Sequence, residues 1–294
     1  MEIFGIPSPA FFGQLLLGLI NGSFYAILSL GLAIIFGLLN IINFAHGAQY
    51  MVGAFVAWML LTWLGIGYWW ALILSPLAVG AVAVLIERTM LRHLYKLDHL
   101  YGLLLTFGLA LIAEGVFKNY FGVSGESYEV PELLQGGLNL GFMYLPIYRA
   151  WVVVAAMAVC FSAWYAIERT SLGATLRAAT QRPYLVQALG INVPVLLTAT
   201  YAAGAALAAF AGVLAAPIMQ VNPVMGANLI IVVFAVVVIG GMGSILGSIL
   251  TGLGLGMVEG LTKVFYPEAS AVVIFVVMVL VLLVKPAGLF GKQA

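Results

Sequence analysis

The chain has 294 residues, 64% of them hydrophobic and only 7% charged, with a net charge of +1, and its mean hydropathy is +1.17. A soluble domain carries roughly a quarter charged residues, so this composition excludes a water-soluble globular protein and calls for a bilayer as solvent. The lone cysteine, Cys160, excludes a disulfide framework, and no Cys/His spacing points to a metal site.

Apolar segments of about 20 residues, enough to cross roughly 30 Å of hydrocarbon, are predicted at about 11–36, 40–64, 69–87, 101–119, 146–167, 194–216, 227–247, 248–265 and 270–286. They predict an all-α polytopic membrane protein with about 8–10 transmembrane helices, some broken by glycine, in a single membrane domain over 1–294. The opening MEIFGIPSP lacks the basic region of a secretory signal, so the first segment, which carries Asn21, is expected to be retained as a span.

The second segment opens with FGLLNIINFAHGAQYMVG, residues 36–53, which sets two asparagines, a histidine and a glutamine in an apolar run. If 40–52 is helical, steps of about 100° put Asn40, Asn43, His46, Gly47 and Tyr50 within an arc of roughly 120°, with Gln49 at its border. Polar groups in a span face protein or a cavity rather than lipid. Two readings follow. The arc hydrogen-bonds to neighbouring helices, with Gly47 and Gly53 allowing close approach, or it lines a translocation path at a broken helix.

The third segment ends at Arg88, Arg92 and Lys96; further basic residues fall at Arg169, Arg177 and Arg182 and at Lys285 and Lys292. The positive-inside rule places these in the cytoplasm. The loop from about 120 to 145 carries Glu126, Glu129 and Glu132 without Lys or Arg and suits the outer side. The N-terminus is then outside and the C-terminus inside, which needs an odd number of crossings; a re-entrant stretch in 227–265 would change that parity. Glu114 and Glu259 each precede a lysine, Lys118 and Lys263, at the i,i+4 spacing of an intrahelical pair.

Residues 168–192, ERTSLGATLRAATQRPYLVQALGIN, are longer than a connector requires and carry three arginines. Leu172, Leu176 and Ala179 recur at helical spacing and Pro183 interrupts them, which predicts a short helix presenting a docking surface or lying on anionic headgroups. Each half of the chain also holds a glycine-interrupted segment, Gly37 to Gly53 and Gly240 to Gly256, a pointer to an inverted-repeat transporter.

Three stretches carry a family resemblance: GLAIIFGLLNIINFAHGAQYMVGAF, SLGATLRAATQRPYLVQALGIN, and AGAALAAFAGVLAAP followed by VVIGGMGSILGSILTGLGLGMVE. In this order, over about 11–290, they resemble the permease subunits of branched-chain amino-acid ABC importers. The resemblance implies the ABC importer permease fold, a second permease, two cytoplasmic ATPase subunits that bind ATP and Mg, and an outer substrate-binding protein. It also implies that 168–193 is the coupling loop, with Gly173, Arg177, Ala178, Gln181 and Gly190 at the ATPase, and that Asn21, Asn40, Asn43, His46 and Gln49 line the path. No cofactor is expected in this chain, which has no G-x-x-x-x-G-K-[ST] loop, and no enzymatic activity of its own. The expected location is the bacterial cytoplasmic membrane, and the solute is a branched-chain amino acid, or alternatively urea, a short amide or an aromatic or organic acid.

Rival classes fit less well. A water-channel filter needs two Asn-Pro-Ala motifs, and only Asn222-Pro223-Val224 is related. GVSG at 122–125 matches a rhomboid-type protease string, but all three histidines precede it, whereas that chemistry needs one on a later span. Proton-coupled transport through Glu114 and Glu259 remains an alternative.

Overall fold

The computed structural model describes residues 2–3, 6–39, 41–95 and 97–291. Asn40, Lys96 and Lys292 lie outside the described residues. A two-stranded ribbon, β1 (Glu2–Ile3) and β2 (Ile6–Pro7), leads into α1 (Ser8–Leu39). There follow α2 (Ala45–Leu64), α3 (Tyr68–Ile86), a π-turn over Glu87–Leu91, the single turn α4 (Arg92–Leu94) and α5 (His99–Phe121). A hairpin of β3 (Gly137–Asn139) and β4 (Tyr144–Pro146) precedes α6 (Ile147–Glu168). The short α7 (Ser171–Gln181) and α8 (Pro183–Ala188) connect to α9 (Val193–Ala215), α10 (Met225–Gly240), α11 (Ile245–Phe265) and α12 (Val273–Val284).

Among the described residues, seven helices are long and apolar enough to cross a membrane, and α10 and α12 are shorter apolar helices of 16 and 12 residues. At 1.5 Å per residue these two reach only about 24 and 18 Å. Within the glycine-rich stretch 240–247, residues 241–244 turn tightly between two separate helices, with Gly241 and Gly243 at φ 98° and 87°. The side chain of Ser244 accepts from Gly247 N at 3.1 Å and caps α11.

The contacts divide the chain into two compact units. The first contains residues 1–29, 129–160 and 231–294. In it the start of α1 packs on α11 through small residues, and a Cβ added at Gly22 would meet the Leu253 carbonyl oxygen at 2.8 Å. Tyr25 donates to Glu259 Oε2 at 2.7 Å, and Ser29 donates to the Ser248 carbonyl at 3.1 Å. Leu289 N and Phe290 N donate to the carbonyls of Ile239 and Gly240, which ties the chain after α12 to the end of α10.

The second unit contains residues 30–128 and 161–230. Its centre is α2, α3 and α9 packed on one another. The backbones approach closely at Gly47 on Gly226, Gly53 on Ala209 and Gly212 on Tyr50, the small-residue packing that apolar solvent favours because lipid gives no hydrophobic drive between helices. Ile35, Val79, Ala83, Leu91, Tyr201 and Ala205 fill the core between them.

Candidate functional site

The second predicted segment starts at about 40, but α2 begins only at Ala45, and Ile41, Ile42 and Asn43 are irregular, so the condition of helix over 40–52 holds only in part. Buried irregular backbone needs hydrogen-bond partners, and here Thr106 of α5 supplies them. Its Oγ1 accepts from Phe44 N at 3.1 Å and lies 3.1 Å from the Ile42 carbonyl, to which it can donate. Phe44 has no side-chain cap of its own. Nothing local in LLLTFG marks Thr106 for this task beyond being a lone hydroxyl in an apolar run.

The predicted polar arc does face protein: Asn43 and His46 are 0% exposed, and Gln49 and Tyr50 are also buried. Asn43 is in the break rather than on the helix, so its side chain comes from the irregular segment. Its Nδ2 donates to Gln49 Oε1 at 3.5 Å, and Gln49 Nε2 donates to the Tyr201 hydroxyl at 3.2 Å. Tyr201, on α9, is a member the sequence reading missed; TATYAAGAAL reads as a small-residue packing face. His46 lies against Gly31, where an added Cβ would meet its ring at 2.9 Å. Asn43 Oδ1 is buried with no hydrogen-bond partner among the described residues. The cross-helix reading of the arc is matched by the bond from Gln49 to Tyr201. Asn21 is half-buried on α1 in the first unit.

The loop between α6 and α9 is built as two short helices. Gly173 has no room for a side chain beside the Ile167 carbonyl. Arg177 Nη1 donates to that carbonyl at 2.9 Å and lies 3.7 Å from Glu168, so both residues hold α7 on the end of α6. Gly190, at φ 84°, makes the left-handed turn that ends α8. Ala178 and Gln181 are exposed. The outward surface is completed by Leu172, which the helical spacing already marks, and by Leu185, Leu189 at 79% and Tyr184 at 85% exposure, which sequence reasoning did not single out. Large apolar residues this open outside the membrane-length helices mark a surface that meets another protein or the membrane surface.

Two further features bear on mechanism. Glu114–Lys118 and Glu259–Lys263 form the expected intrahelical pairs, at 2.5 and 2.6 Å. Burial, then the hydrogen bond to Glu87, raises the Tyr95 hydroxyl above its ordinary pKa, so it remains a donor. Among the described residues no group of three His, Cys, Asp or Glu side chains could hold a metal ion.

A family model described as "Branched-chain amino acid transport system / permease component" matches residues 14–282. The chain belongs to this permease family. The permease is 31% identical to the Escherichia coli K12 high-affinity branched-chain amino acid transport system permease protein LivH, over 96% of each chain. It is 33% identical to the Pseudomonas aeruginosa protein BraD of the same description, over 95% of each. It is 26% identical to the E. coli permease protein LivM, over 90% of this chain and 67% of LivM. No solved structure gives a significant match. The permease is thus a multi-pass membrane transport component and not itself an enzyme.

Proposed function

We propose that this permease is the membrane subunit of an ATP-driven importer of branched-chain amino acids, working in the bacterial cytoplasmic membrane beside a second permease of the same family. Two cytoplasmic ATPases bind ATP and Mg, and an outer binding protein delivers the solute. The single observation behind this reading is likeness to LivH and BraD along nearly the whole chain; that LivM is also similar favours a paralogous second permease.

The division of labour follows from the side chains. The exposed face of α7 and α8, including Ala178, Gln181, Tyr184 and Leu189, seats in the ATPase, while Gly173 and Arg177 keep that face rigid. This loop lies in the cytoplasm, as does the C-terminus. Movement there separates α2 from α9 and frees Asn43, Gln49 and Tyr201 to hydrogen-bond the passing solute. None of the three is charged, so the binding protein must supply recognition of the ammonium and carboxylate. The same lack of charge favours neutral amides as a second reading. A mild-detergent pull-down tests the assembly: ATPase subunits and a second permease are expected, and recovery of the chain alone, still able to carry solute in liposomes, overturns it. The ligand of the co-purified binding protein then decides between amino acid and amide.

A further inference from the structure

Glu87 is 1% exposed, at the end of the third membrane-length helix. A carboxylate taken out of water must be fully hydrogen-bonded or paired. Among the described residues Glu87 makes no salt bridge; instead Oε1 accepts from the Tyr95 hydroxyl at 2.7 Å and Oε2 from Thr198 Oγ1 at 2.6 Å. Thr198 is 111 residues away in sequence, on α9.

Local geometry aims the carboxylate there. Ser75, Val79, Ala83, Glu87 and Leu91 are buried at a spacing of four, which in a regular α-helix drifts by roughly 40° per step. The π-turn over Glu87–Leu91, closed by Arg92 N on the Glu87 carbonyl, is wider and offsets part of that drift. Single π-turns inside α-helices are rare and concentrate at functional positions.

The other end of the link is tied to the cytoplasmic loop. Ala179 of α7, Val186 of α8 and Val193 of α9 form one buried cluster, with Leu196 and Leu197 packed on it. Asn192 caps α9 by accepting from Val195 N at 3.2 Å. A push on α7 and α8 therefore moves the first turns of α9 as a body, and Thr198 is within them.

We propose that Glu87 is a positioning residue, whose hydrogen bond to Thr198 makes α3 follow α9 when the loop is displaced, so that ATP hydrolysis is coupled to opening of the Asn43–Gln49–Tyr201 core. This rests on the loop being the ATPase-driven element. Tyr95 holds the second carboxylate oxygen so that the first stays aimed at Thr198. The bond is short and shielded from water, where an interaction between polar groups is stronger than in solvent.

The test uses the complete transporter in proteoliposomes, with binding protein and a branched-chain amino acid, comparing wild type with T198V, T198S and E87Q. Solute moved per ATP hydrolysed is the readout, because a merely structural role would change assembly or total activity but not that ratio. T198V and E87Q are expected to assemble and to lower the ratio by about tenfold, with T198S near wild type. An unchanged ratio in T198V overturns the latch, as does failure of T198V to assemble, which would make Thr198 a folding determinant only. Absence of ATPases from the wild-type complex would instead overturn the importer reading itself.

Discussion

Two helix seams in this permease are built from the same material and differ in what they do with polar groups. Within the first unit, α1 meets α11 at Gly18, Gly22, Gly252 and Gly256. Two hydroxyls along it have close acceptors: Tyr25 donates to Glu259, which is paired with Lys263, and Ser29 donates to the Ser248 carbonyl, while Thr251 Oγ1 is buried without a partner among the described residues. Within the second unit, α2 meets α9 at Gly53 and Gly212 just as closely. There the amides of Asn43 and Gln49 and the Tyr201 hydroxyl form a longer chain that leaves Asn43 Oδ1 unpaired. Glycine packing sets how near helices come; hydrogen-bond closure sets whether they are content to stay. The first seam is a clamp closed on an ion pair, and the second, joined only by neutral groups, is the one expected to part during transport.

The glycines should not distinguish the seams, so the largest effects are expected to be alike. Gly22→Leu in the first and Gly212→Leu in the second each drive a side chain into backbone, costing about 3 kcal/mol or more. Loss of monodisperse protein on size-exclusion chromatography after detergent extraction checks both. A normal profile from either would break the claim that backbone approach there is required.

Next in size is Thr106→Val. It removes the partner of Phe44 N and the Ile42 carbonyl where the backbone is irregular, at a cost of about 2 kcal/mol. A lowered melting temperature is expected, with less loss in Thr106→Ser. The seams diverge with Tyr201→Phe. It deletes the acceptor of Gln49 Nε2, so stability should fall by only about 1 kcal/mol while uptake in reconstituted vesicles drops severalfold. Equal uptake would leave the second seam with no claim to the path.

How much of this could be read in the sequence follows from the range of each interaction. Apolar length and glycine breaks are local, and the nine predicted segments correspond to the seven long helices and the two shorter ones, α10 and α12. The direction of the polar arc was also legible, because lipid tolerates no unpaired amide. Its partners were not: Thr106 is 62 residues from Phe44 and Tyr201 152 from Gln49, and nothing periodic links them. The start of α2 was set too early for the same reason, since helical spacing cannot reveal that a distant hydroxyl satisfies a break. Arg177 reads as a docking charge, and its bond to the Ile167 carbonyl ten residues back is not legible from spacing. Glu87 was overlooked beside Arg88, although a lone acid in VLIERTML was a signal to weigh.

The smallest effect should come from the clamp's own charges. Lys263→Met removes the cation from Glu259, yet the Tyr25 hydroxyl still donates to the other carboxylate oxygen. Lys263 lies in the last turn of α11 and is 37% exposed against 13% for Glu259, and i,i+4 helix pairs are worth about 0.3–0.5 kcal/mol. The melting temperature should hardly move, and uptake should stay near wild type. Tyr25→Phe in the same background strips the remaining bond and should cost more than the two single changes added together, because each alone leaves Glu259 one partner. A large loss of uptake in Lys263→Met, with stability intact, would reverse the comparison: the first seam would carry the chemistry, through a proton on Glu259, and the second would be the scaffold.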